Sequence, residues 1–209
     1  MTDDASKFSE LVTLSTQNTA LIVVDVQNDF VDPRGSLYVQ DAQSVVPNIN
    51  SMISNVRSEG RLIVYTQDWH PEVTPHFAKD GGIWPVHCVG DTWGAEFYGE
   101  LVVVPDGEFV RKGTGGEDGY SGFSVRDPQT GSESDTALER ILQERGAEQV
   151  DVVGIATDYC VKETALDARR RGLSTVVYRN CMKGVELASG DTAAAIDAMI
   201  HAGVEVLDA

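Results

Sequence analysis

Three of the four histidines in this chain, His70, His76 and His87, fall within 18 residues of one another, and Asp68 stands two positions before the first. Side chains two apart on extended backbone share a face, so Asp68 and His70 can reach one ion. Imidazoles plus one carboxylate make a donor set for zinc, iron(II) or manganese(II), and without a thiolate ligand softness does not choose among them. The competing reading is a scatter of polar loop residues. Cys88, beside His87, is either a fifth ligand or a small buried apolar side chain.

A second chemistry centres on sulfur. Cys160 closes the run Val153-Gly154-Ile155-Ala156-Thr157-Asp158-Tyr159-Cys160, which reads as strand passing into helix. At a helix N-terminus the unpaired N–H groups and the helix dipole favour thiolate, and the same N–H groups can hold a tetrahedral oxyanion. Taken alone, a cysteine is more often a buried structural residue. A nucleophilic sulfur needs a base, and with the histidines committed to metal a carboxylate is the candidate. Asp25, directly after the apolar Ala20 to Val24, fills that role. Lys112, ending another strand, would hold Asp25 and the thiolate in register by charge, although a lone lysine is ordinarily a solvated surface residue.

The elements that must position these groups alternate along the chain. Strands are expected at Ala20 to Val24, Leu62 to Tyr65, Glu108 to Arg111, Val150 to Val153, Thr175 to Tyr178 and Val204 to Leu207. Helices are expected at Val45 to Val56, Asp135 to Arg145, Tyr159 to Arg171 and Thr192 to His201, with Gly146 and Gly172 as stops. Phe77 to Tyr98 reads as a long irregular stretch, of the kind that carries function, and Arg126 to Asp135 as a surface loop. Six strands alternating with helices imply right-handed crossovers and a six-stranded, mainly parallel sheet in a three-layer α/β/α fold. Ligands bind beyond the carboxyl ends of such strands, where Asp25, Asp68, His70, Lys112 and Cys160 all fall. Residues 1–209 read as one domain.

Composition narrows the partners. A formal net charge of −17 works against binding nucleic acid or anionic membranes, whose affinity depends on lysine and arginine. The apolar runs fall well short of the roughly 20 residues that span a bilayer. Met1 to Glu10 shows no export signal, and three cysteines without a C-x-x-C pair suit a reducing compartment, so a cytoplasmic location is expected. Self-association into a homo-oligomer is left open.

Taken together, ALIVVDVQNDF (Ala20 to Phe30), the Gly35-Ser36-Leu37 turn, QDWHP (Gln67 to Pro71), WPVHC (Trp84 to Cys88), RKG with YSGF (Arg111 to Phe123) and GIATDYCVKETALDA (Gly154 to Ala168) resemble the nicotinamidases of the isochorismatase-like cysteine hydrolase superfamily. The matches extend from Ala20 past Gly184. The resemblance implies the isochorismatase-like hydrolase fold and a triad of Asp25, Lys112 and Cys160. It implies one divalent metal, zinc before iron or manganese, held by Asp68, His70, His76 and His87. A cis peptide between Ile155 and Ala156 would turn the N–H groups of Ala156 and Cys160 toward an oxyanion. Phe30, Trp84 and Tyr120 would pack against a pyridine ring. The implied reaction is hydrolysis of the carboxamide nicotinamide, with pyrazinamide as a side substrate. Rival readings are an N-carbamoyl amidase, an isochorismatase-type vinyl-ether hydrolase, or a non-catalytic metal or thiol sensor with Cys160 as its reactive group.

Overall fold

A computed structural model of the chain describes residues 18–208; the expectation for Met1 to Glu10 lies outside them. One six-stranded sheet is built from β1 (Thr19–Val24), β2 (Ile63–Asp68), β3 (Glu108–Lys112), β6 (Gln149–Ile155), β7 (Ser174–Lys183) and β8 (Glu205–Leu207). The order is β3-β2-β1-β6-β7-β8, and every neighbouring pair runs parallel.

Buried strands covered on both faces need apolar side chains at successive positions, and all six residues of β1 are buried. Leu21 and Val23 point into one apolar cluster with Val46, Ile49, Ile53 and Val56 of α2 (Val46–Ser58). Ala20, Ile22 and Val24 point into the other, against α3 (Leu138–Glu144), α4 (Lys162–Arg170) and α5 (Asp191–His201). The alternation of period two along β1 thus produces the three expected layers. A four-residue α1 (Asn28–Val31) follows the turn after β1.

Four local readings are corrected. Residues 126–135 are not simply a loop: β4 (Ser124–Arg126) and β5 (Glu133–Asp135) pair antiparallel as a small hairpin outside the main sheet. That pairing takes up Asp135, so α3 starts at Leu138, whose N–H donates to Thr136 Oγ1 at 3.1 Å. The helix expected from Tyr159 opens as one π-helical turn, Thr157–Val161, before α4. β7 runs five residues past Tyr178, and its pairing with β6 shifts register between Val152 and Gly154.

With β1 flanked by β2 on one side and β6 on the other, the chain winds outward in both directions from the β1–β6 pair, and the crevice at their carboxyl ends is where such sheets bind ligands. Gly154 lets the two strands approach there. Its φ is +121°, and a Cβ would stand 2.1 Å from the Val24 carbonyl oxygen. Gly154→Ala is therefore expected to destabilise the fold by about 3 kcal/mol or more, read as a lowered denaturant midpoint. An unchanged midpoint would show that the strands need no such approach.

Candidate active site

Four strand ends bring the candidate residues to one rim. Asp25 leaves β1 in the left-handed region (φ 49°), with its backbone oxygen accepting from Gln27 N at 2.8 Å in a tight turn. Its carboxylate is fully buried. Thr66 Oγ1 donates to Asp25 Oδ1 at 2.6 Å, and Lys112 Nζ, on the last residue of β3, lies 2.7 Å from Oδ2. The same ammonium contacts the Asp68 carboxylate and the Gly119 carbonyl, and stands 3.7 Å from Cys160 Sγ. Lys112 is thus a cation in the interior, the opposite of an ordinary surface lysine.

Burial and charge set the protonation states. Burial raises Asp25 above the usual carboxylate range, only partly opposed by the Lys112 charge. Burial also pushes on Asp68, but there the Lys112 charge and the nearby His70 and His87 rings prevail and hold it well below that range. Lys112 is disfavoured as a cation by burial, yet the two carboxylates drive it well above its ordinary value. Two neighbouring carboxylates are thereby pushed apart, one fixed as an anion and one ready to take a proton, the pattern that separates roles in acid–base sites. The Cys160 thiol is pushed well above its ordinary value by burial, with Lys112 offsetting part of this. This departs from the thiolate favoured by a helix N-terminus: Cys160 is buried in a π-helical turn at the cavity wall, and its sulfur needs a base to ionise.

The histidines converge next to it. His70, His76 and His87 each offer a ring nitrogen within 4.8 Å of the others, and all three side chains are buried. Asp68 Oδ2 lies 3.8 Å from both His70 Nε2 and His87 Nε2. Two ligands about 2.1 Å from one ion can be at most about 4.2 Å apart, so this spacing fits a shared ion. His76 Nδ1 donates to Asp118 Oδ1 at 2.6 Å and His87 Nδ1 to the Pro85 carbonyl at 2.7 Å, which leaves Nε2 of each ring to face a ligand. Burial lowers His76 below its ordinary value and favours the neutral ring that coordination requires. Both His70 ring nitrogens are buried with no hydrogen-bond partner among the described residues, a cost that metal ligation removes. Cys88 does not join the set; its Sγ lies 3.9 Å from the Gly94 carbonyl, the environment of a buried apolar side chain.

A cavity opens onto both groups. Phe30, Trp84 and Tyr120 line it together with Cys160, Asp68 and His87, as does Tyr159, which sequence reasoning missed. Trp84 Nε1 donates to Tyr120 Oη at 2.8 Å, and Tyr159 meets the Trp84 ring edge-on at 4.9 Å. The peptide between Ile155 and Ala156 is cis, as expected. Other supports were also unanticipated. Gln27 clasps Asp68, donating to its carbonyl at 2.8 Å and accepting from its N–H at 2.9 Å. Asp29 accepts from Cys88 N at 2.7 Å and Ser36 N at 3.0 Å. Both residues lie inside the VDVQNDF segment, where only Asp25 and Phe30 had been given tasks.

Residues 19–209 match the model of the isochorismatase domain family. A nicotinamidase/pyrazinamidase of Mycobacterium tuberculosis is 39% identical over 193 residues, covering 90% of this chain and 97% of the relative. The chain belongs to the isochorismatase-like superfamily, in its nicotinamidase branch. Solved structures of this family agree. A pyrazinamidase of Pyrococcus horikoshii in complex with zinc superposes with a TM-score of 0.82 at 37% identity, over 92% of this chain and 99% of that one. A protein of L. infantum in complex with nicotinate gives 0.83 at 35% identity, over 92% and 93% of the two chains.

One glycine makes the histidine cluster sterically specific within this family fold. Gly113 follows Lys112 with φ +77°, and a Cβ there would stand 2.5 Å from His70 Cε1. Gly113→Ala is expected to push the His70 ring aside and weaken divalent-ion affinity by roughly tenfold or more. Competition with a chromophoric chelator measures it, and an unaltered affinity would remove His70 from the ligand set.

Proposed function

We propose that the chain hydrolyses nicotinamide to nicotinic acid and ammonia through a thioester on Cys160, and accepts pyrazinamide in the same way. The observation that carries this reading is the contact set of one buried ammonium, Lys112 Nζ, with Asp25 at 2.7 Å and Cys160 Sγ at 3.7 Å, at the floor of a cavity walled by aromatic rings.

Asp25, raised by burial, accepts the Cys160 proton as the sulfur attacks the carboxamide carbon. Lys112 stays charged throughout and stabilises the thiolate as it forms. The backbone N–H groups of Ala156 and Cys160 take the tetrahedral oxyanion. The protonated Asp25 then returns its proton to the departing nitrogen, the C–N bond breaks, ammonia leaves and the acyl group remains on sulfur. Asp25, again a carboxylate, takes a proton from water as its oxygen attacks the thioester. The C–S bond breaks, nicotinic acid is released, and the proton goes back to Cys160. Phe30, Trp84 and Tyr120 hold the ring between them.

Asp68, His70, His76 and His87 would hold the divalent ion. Zinc is proposed first, supported by the zinc in the Pyrococcus horikoshii structure. When bound, the ion supplies a Lewis-acidic anchor for a ring nitrogen, which a pyridine and a pyrazine both carry. One continuous sheet supports reading the chain as a single domain, and free thiols at Cys88, Cys160 and Cys181 support a reducing, cytoplasmic setting. No helix among the described residues is long and apolar enough to cross a membrane.

Ammonia release from nicotinamide tests the reaction, and Cys160→Ala is expected to lower it by roughly a thousandfold or more. Chelation should abolish turnover at low nicotinamide and added zinc should restore it. Full activity of Cys160→Ala, or of the exhaustively chelated protein, would overturn the nucleophile or the ion respectively.

A further inference from the structure

His76 reaches the histidine cluster from the irregular segment after β2, and among the described residues one side chain is hydrogen-bonded to its ring. Asp118 Oδ1 accepts from His76 Nδ1 at 2.6 Å. Two residues away on each strand of the contact, Thr74 Oγ1 donates to the Gly116 carbonyl at 2.7 Å. The segment bearing His76 is therefore tied twice to the segment between Lys112 and Tyr120. Asp118 is itself pinned: its N–H and carbonyl exchange bonds with the carbonyl and N–H of Arg126, at 2.8 and 2.9 Å, on the last residue of β4 in the β4–β5 hairpin. The hairpin thus fixes the Asp118 backbone, and Asp118 in turn fixes the His76 ring. That ring lies stacked on His70 with centroids 4.7 Å apart and planes 20° from parallel.

We propose that Asp118 is a positioning residue for the metal, which selects the His76 tautomer with Nε2 free and aims that nitrogen at the cluster of Asp68, His70 and His87. The inference rests on the metal site proposed above. A carboxylate behind a ligating imidazole orients the ring and strengthens it as a donor, and its loss typically weakens metal binding by roughly 10- to 100-fold. The next residue, Gly119, offers its carbonyl to Lys112 Nζ, so the same short segment serves both halves of the site.

The test compares zinc and cobalt dissociation constants of the full chain, by chelator competition, for wild type, D118L, D118N, H76N and the double variant H76N/D118L. D118L is expected to weaken binding 10- to 100-fold. D118N, whose amide oxygen still accepts from Nδ1, is expected to recover part of that loss. In the H76N background D118L is expected to add less than about twofold, because its effect passes through His76. In metal-free protein, ring nitrogen chemical shifts should report Nδ1–H on His76 in wild type and a tautomer mixture in D118L, a readout independent of activity. Wild-type affinity in D118L, or an equal loss in both backgrounds, overturns the inference while leaving the metal site standing. Wild type that binds neither ion overturns the site and the inference together.

Discussion

Everything at the rim depends on one buried cation. Lys112 Nζ contacts both Asp25 and Asp68, in a place where neither charge sign would survive alone. Removing one partner of a buried ion pair typically costs about 3–5 kcal/mol, because the charge left behind has no solvent. The arrangement is asymmetric. Asp68 has the His70 and His87 rings 3.8 Å away as well as the ammonium, and it stays an anion fit to ligate metal. Asp25 has Thr66 and the ammonium, and burial leaves it inclined to accept a proton. The division of labour between binding an ion and activating a thiol follows from this difference between two carboxylates that share one lysine.

The parallel sheet makes such sharing economical. Adjacent strand ends place β3, β2, β1 and β6 in order, so Lys112, Asp68, Asp25 and the Cys160 turn arrive side by side from positions spread over 136 residues. Register carries the precision, since Asp68 pairs directly with Lys112 and Val24 with Gly154. The irregular stretch after β2 then brings His76, Trp84 and His87 over the top. Gln27 and Asp29 clamp it to the turn after β1 through Asp68, Ala95 and Cys88.

The strand ends and the polar residues capping them were legible because the signal is local: a buried apolar run that stops at Asp25 or leads into Asp68 declares both the strand and its functional end, while Lys112 closes a half-exposed strand at the sheet edge. The histidine cluster was legible by its density. What escaped depends on distant packing. Asp118 gives no sign in a Gly-rich, acidic segment that its partner lies 42 residues earlier. The β4–β5 hairpin has three-residue strands that are mostly exposed, too short and too polar for a periodicity to stand out. The state of the Cys160 thiol was misjudged for a related reason. The dipole of a helix start can be inferred from sequence, whereas the burial of Cys160 among distant parts of the chain cannot.

The shared cation is tested most directly by the turnover number of Lys112→Met for ammonia release from saturating nicotinamide, on protein that near-ultraviolet circular dichroism shows to be folded. Methionine keeps most of the side-chain volume and deletes the charge, so Asp25 and Asp68 lose the ion that separates their protonation states. Turnover should fall by roughly a hundredfold to a few thousandfold, the rate equivalent of about 3–5 kcal/mol. A folded Lys112→Met protein that turns over nicotinamide within a few-fold of wild type would show that the lysine is structural filling and that the two carboxylates do not depend on it.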